Sequence, residues 1–172
     1  MRPWKLRGDT ITLRIGHQAA AALAESCEDL IQALDARDDE DLLRRLLPSA
    51  YPDDPEAAED FRRFTAEGLV DGKRANAALV LARLEESGVL DHGARRPRRG
   101  VPIPLSREEA WAWLRVFTDL RQAIATRLGI ESDDDTDRIY HHPPDEDTAW
   151  QITVFEWLAD LQHSLVSTLD GY

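Results

Sequence analysis

The chain has a single cysteine, Cys27, in 172 residues. An intramolecular disulfide is therefore excluded, and a reducing, cytoplasmic compartment is expected. No apolar run reaches bilayer length and no signal-peptide pattern opens the chain, so neither a membrane span nor export is expected. A Gly-rich phosphate loop, G-x-S-x-G, H-E-x-x-H and any Cys/His cluster are all missing. Acids are abundant, but abundance does not single out an acid–base pair. These absences point away from an enzyme and imply no metal or other cofactor. Positive charge is scarce too: 21 Lys and Arg stand against 33 Asp and Glu, a net charge of -12. That surplus repels a phosphate backbone and opposes general nucleic-acid affinity, while still allowing a local basic patch. Only Lys5 and Lys73 are lysines.

What is present reads as helix. The length suits one domain, residues 1–172, large enough to bury a core. The most clearly marked stretch is Ser106 to Ile130. Ser106 and Glu109 make an S-x-x-E capping box, Glu108 and Glu109 suit the positive end of the helix dipole, and Gly129 supplies a left-handed stop. Ala110, Trp113, Leu114, Phe117, Leu120, Ile124 and Leu128 repeat at three/four spacing as one apolar face. Trp111, Arg115, Thr118 and Gln122 fall on the other side. That second stripe is either plain solvent face or a partner-binding face, and Trp111 favours the partner because exposed tryptophan is enriched at interaction hot spots.

Val101, Ile103 and Leu105 alternate with prolines just before this helix. Ile11, Leu13 and Ile15 alternate likewise before a helix beginning near His17. The spacing predicts two short strands that pair and two helices that pack together, with the proline-bearing strand at an edge. Gly8-Asp9 is the expected turn of a hairpin within Trp4 to Ile15. The first helix, about His17 to Arg37, carries Leu23, Cys27, Leu30, Ile31 and Leu34 on one stripe, which places Cys27 toward the core. The alternative reading, a redox-sensitive thiol, finds no basic neighbour in sequence, and Glu25, Glu28 and Asp29 would raise the thiol pKa if close.

Asp38 to Leu47 predicts a short helix. Asp54 and Pro55 predict the start of another, with Phe61 and Phe64 inward. Thr65 is expected to cap a further helix, about Ala66 to Ser87, with Ala77, Val80, Leu81 and Leu84 buried. The last helix, about Thr148 to Leu169, has the stripe Val154, Leu158, Leu161, Leu165 and Leu169, widened by Trp150, Trp157, Phe155 and Val166. So broad an apolar arc predicts a central helix. Off the stripe, His163 reads as a surface residue.

Two loops hold most of the remaining chemistry. His92 to Gly100 is basic, with Arg95, Arg96, Arg98 and Arg99. The order helix, Gly88-Val89-Leu90, basic loop, strand resembles the recognition helix and wing of a winged-helix DNA binder, whose arginines contact phosphate or the minor groove. The plainer reading is a solvated loop neutralising nearby acids. The preceding helix offers Lys73, Arg74, Asn76 and Arg83 but also Glu85 and Glu86. Glu131 to Asp147 reads as a mobile acidic loop. Asp133, Asp135 and Asp137 mimic the start of a calcium loop, but Arg138 stands where Gly is needed and Pro144 where Glu is needed, so that motif is rejected. His141 and His142 lack a spaced partner pair for a metal.

The ordered set AYPDDPEAAEDFRR (Ala50 to Arg63), the Lys73–Asn76 region, AWLRVFTDLRQAIATRLGI (Ala112 to Ile130) and EWLADLQHSLV (Glu156 to Val166) resembles the actinobacterial AosR-type family of oxidative-stress transcriptional regulators. The resemblance spans nearly the whole chain. It implies a cytoplasmic, non-enzymatic regulator with the transcription machinery as its protein partner. Redox sensing in that family is attributed to a cysteine pair. With Cys27 alone, this chain can form an intermolecular disulfide or a sulfenic acid but no internal bridge. The expected fold is mostly α: a bundle of about six helices, with a small two-stranded β element made by the N-terminal strand and the segment around Val101–Leu105. Direct DNA binding by the basic loop, an adaptor role for other machinery such as proteolysis, and a homodimer all stay open.

Overall fold

The computed structural model describes residues 3–47, 53–91, 100–141 and 143–171, apart from the side chains of residues 58, 62 and 133. Within them the order is β1 (Trp4–Arg7), β2 (Thr10–Ile15), α1 (His17–Ala36), α2 (Glu40–Leu46), α3 (Pro55–Glu86), β3 (Val101–Leu105), α4 (Arg107–Arg127), α5 (Asp133–His141) and α6 (Glu146–Leu169). The protein is mostly helical, as the periodicities predict. None of the described helices is long and apolar enough to cross a membrane.

The β element has three strands rather than two. β1 pairs antiparallel with β2 across the Gly8-Asp9 turn, and β2 pairs antiparallel with β3. Gly8 takes the positive φ, +57°, that this tight turn uses. β2 is the middle strand, so the prolines of β3 face no missing ladder partner on its open side. Ile11, Leu13 and Ile15 point to the core in register with Leu105, Ile103 and Val101. Gly100 precedes β3 at φ +75°, and a Cβ there would stand 2.7 Å from the Ile15 carbonyl oxygen, so only glycine lets the chain join the sheet at that point.

The sheet covers one side of α4, and α1, α2, α3 and α6 all pack on that helix too. The centre of the core is a cluster of Trp4, Trp113 and Phe117 in mutual edge-to-face contact, with centroids 6.1–6.3 Å apart. The Trp4 indole N–H donates to the Leu161 carbonyl at 3.1 Å, which ties β1 to α6. The central helix is therefore α4, not α6 as the breadth of the last apolar arc predicts. Trp150 and Val166, which widen that arc, are 55% and 38% exposed. They are apolar but face outward.

α3 differs from expectation in two respects. It is one helix of 32 residues, not a short helix followed by a second one capped at Thr65. Thr65 donates its hydroxyl to the Phe61 carbonyl one turn back, which satisfies the side chain inside the helix. Phe64 is 76% exposed rather than inward. The first buried residue described in α3 is Val70, so its leading turns reach beyond the body of the domain. The acidic segment after Ile130 is also not purely a loop. Ser132 and Asp135 cap each other reciprocally through backbone amides at 3.2 and 3.3 Å, and α5 follows.

Candidate functional site

The capping box of α4 forms as its sequence dictates. Ser106 Oγ accepts from the Glu109 amide at 3.2 Å and Glu109 Oε2 accepts from the Ser106 amide at 2.7 Å. The other Glu109 oxygen takes the Arg83 guanidinium of α3, which also holds Glu86. Burial opposes the Glu109 charge, but the Ser106 amide and the Arg83 guanidinium outweigh it and keep the carboxyl below its ordinary pKa. One side of α4 is thus locked to α3 at its start.

About three turns on, a second link joins the two helices. Lys73 Nζ donates to Asp119 Oδ1 at 2.6 Å, with Asp119 almost fully buried and Lys73 partly so. Burial pushes the Asp119 carboxyl up, while Lys73 and then Arg115 pull against that. Its second oxygen, Oδ2, has no hydrogen-bond partner among the described residues. Asp119 lies among the apolar positions of α4, where sequence periodicity does not announce a polar contact.

The other side of α4 is linked to α6. Gln162 Nε2 donates to Thr118 Oγ1 at 2.8 Å, Arg121 Nη1 donates to Gln162 Oε1 at 3.0 Å, and the Arg121 guanidinium lies 4.7 Å from the Phe155 ring centroid. Between these two links a strip of α4 remains open. Trp111 is 43% exposed, Arg115 and Thr118 are exposed, and Gln122 is half-buried. The structure brings these four predicted residues together on one rigid helix between α3 and α6. Arg115 has no ion pair among the described residues. An aromatic and an unpaired guanidinium on a fixed surface is the composition that protein interfaces favour.

The other predicted residues fare differently. Arg95, Arg96, Arg98 and Arg99 lie outside the described residues, as do Pro97 and the remainder of that loop to His92. At its two ends, residues 87–90 form turns and β3 pairs with β2, so among the described residues there is no hairpin of the winged-helix kind. The α3 cations that the winged-helix reading sets beside the loop are committed to carboxylates: Lys73 to Asp119, Arg74 to Asp35 and Arg83 to Glu109. Cys27 is fully buried in the core, and burial, then the nearby Glu28 charge, pushes its thiol up to about 12. Among the described residues no group of three or more His, Cys, Asp or Glu side chains is placed to hold a metal ion. His17, at the start of α1, has Nδ1 2.8 Å from the Val89 carbonyl, a contact that sequence spacing could not suggest.

Among the described residues, the fold and the site define the class as a mostly helical protein whose central helix leaves an aromatic–cationic strip exposed. The particular family is shown by sequence comparison. The profile described as "Domain of unknown function (DUF2017)" matches residues 1–169, and the chain belongs to that family. It is also 31% identical over 142 residues to proteins named "Oxidative stress regulator AosR" from Mycobacterium bovis and from two strains of Mycobacterium tuberculosis. The match covers 75% of this chain and 58% of each of those proteins, so the chain spans little more than half their length. No solved structure matches it.

Proposed function

We propose that the chain is a regulatory protein of the oxidative-stress response that acts through protein contacts, with transcription machinery as its partner. Kinship with chains named as oxidative stress regulators carries this reading. The α4 strip of Trp111, Arg115, Thr118 and Gln122 is its contact surface. It is the exposed part of the helix best fixed by its neighbours, so a partner would meet it at little ordering cost. Commitment of Lys73, Arg74 and Arg83 to carboxylates supports protein contact over direct DNA binding as the principal mode. Sensing, in this reading, does not pass through Cys27: peroxide needs an accessible thiolate, and this thiol is neutral and enclosed.

The test is complementation. In a strain of the source organism lacking the gene, wild type restores the transcriptional response to peroxide, Cys27→Ser restores it as well, and Trp111→Ala/Arg115→Glu does not although the protein accumulates. A wild-type chain that restores nothing would sink the regulatory reading. An active Trp111→Ala/Arg115→Glu would remove the strip from it.

A further inference from the structure

A cleft between α1 and α6, over the last turns of α4, has no part in the site described above. It holds about 130 Å³. Its floor is apolar: Ala22, Ile124 and Val154, one from each helix and all buried. Its walls are polar. Glu25 and Asp29 stand one turn apart on the same face of α1. Trp150 and Gln151 come from the early turns of α6, and Trp150 is exposed.

The charges of the lining do not balance. Two carboxylates, Glu25 and Asp29, stand against one guanidinium, Arg127. Asp29 is answered, because Arg127 Nη1 donates to its Oδ2 at 2.8 Å. Glu25 has no ion pair among the described residues. Neither the Trp150 indole N–H nor the Gln151 side-chain amide has a hydrogen bond among them. Asp147 lies one turn before Gln151 on the same side of α6 and is exposed. On a chain of net charge -12, such a cleft draws a cation and repels a phosphate or a carboxylate.

Size and shape narrow the cation. Drug-sized ligands and cofactors take pockets of roughly 300 Å³ or more. This cleft has room for about four waters, which suits the end of one long side chain. Its groups then favour arginine over lysine. A guanidinium lies flat on an aromatic face, indole being the best of them. The chain already uses that arrangement, with Arg121 over Phe155 at 4.7 Å. The same planar fork can donate twice to a carboxylate, and a glutamine oxygen can accept once more. An ammonium is compact and strongly hydrated, and gains less from the ring.

We propose that the cleft binds an arginine side chain presented by a basic segment of a protein partner. The methylenes cover Ile124 and Val154, the guanidinium lies between Trp150 and Glu25, and the Gln151 oxygen accepts one further N–H. This contact is on a different side of α4 from the Trp111–Gln122 strip. It depends neither on that strip nor on the regulatory reading.

NMR titration of the isotope-labelled whole chain tests this. The probe is a blocked hexapeptide with one arginine among glycines and serines. The Trp150 indole signal is identified by its loss in Trp150→Phe. That signal is expected to shift and saturate with a Kd in the millimolar range, more weakly as salt is added. Citrulline in place of arginine keeps the shape without the charge and binds at least about tenfold more weakly. Glu25→Gln and Trp150→Ala each weaken the arginine peptide by at least about fivefold. Glu108 is an exposed acid of the same helix, roughly 24 Å from Ile124, and Glu108→Gln leaves the Kd unchanged. That contrast separates a site from general attraction to an acidic chain. No saturable shift up to about 50 mM, equal binding of the citrulline peptide, or equal weakening by all three variants overturns the proposal. Free arginine that binds where the blocked peptide does not would overturn the protein contact, and assign the cleft to a small guanidinium compound.

Discussion

Cys27 sits where its thiol stays protonated: wholly buried and with a pKa near 12 against an ordinary value of 9.0. The folded pKa is raised, so the stability contributed by the neutral thiol is whole below about pH 9 and is lost as pH rises toward 12. The stability advantage of wild type over Cys27→Ala should shrink by about 2 kcal/mol between pH 8 and pH 10.5, at about 1.4 kcal/mol per pH unit above 9. Urea unfolding of both proteins at the two pH values measures it. A constant difference would mean that the thiol ionises in place. The Lys73–Asp119 pair gives an asymmetric prediction. Removing Lys73 strands a buried carboxylate, whereas removing Asp119 leaves an ammonium that can reach water. Lys73→Met should cost roughly 3 kcal/mol and Asp119→Asn clearly less, with Lys73→Met/Asp119→Leu recovering most of the loss. Denaturant midpoints that rank the single variants the other way would contradict this. The burial of Cys27 was legible from the stripe of Leu23, Leu30 and Leu34. The pairing of Asp119 was not, because its partner lies on another helix 46 residues away, and periodicity reports faces rather than contacts.

Element boundaries were legible where a local chemical signal fixed them. Ser106 and Glu109 announced α4, Asp54 and Pro55 announced α3, and Gly8-Asp9 announced the β1–β2 turn. Ser106→Ala should cost about 1 kcal/mol in thermal or chemical unfolding, more if the loosened Glu109 also releases Arg83; no loss would show the cap to be idle. The same signal, Ser132-x-x-Asp135, stood in the acidic segment and marked α5, where charge density suggested a loop. In α3, Thr65 read as the cap of a separate helix. The helix continues because the Thr65 hydroxyl bonds within it and nothing in the body requires a turn there. Phe64 and Trp150 were misplaced for a common reason: an apolar residue on a helix points either at the core or at something outside the chain, and one sequence does not say which.

For the molecule as a whole, the arrangement separates what is held from what is offered. Among the described residues α4 packs against the sheet, α1, α2, α3 and α6, and its strip from Trp111 to Gln122 stays open. α3 begins beyond the body, where Phe64 is 76% exposed. The fold class, the packing of both strands and the exposure of Trp111 followed from sequence pattern. The central place of α4 followed from how those pieces assemble, which pattern alone does not encode. The measurement that tests the central claim most directly is affinity capture from nuclease-treated lysate of the source organism, with and without peroxide, comparing wild type with Trp111→Ala/Arg115→Glu of equal thermal stability. The account predicts that wild type retains subunits of the transcription machinery and that the double variant loses them. Retention of protease or chaperone components in their place, or equal retention by both proteins, would contradict it.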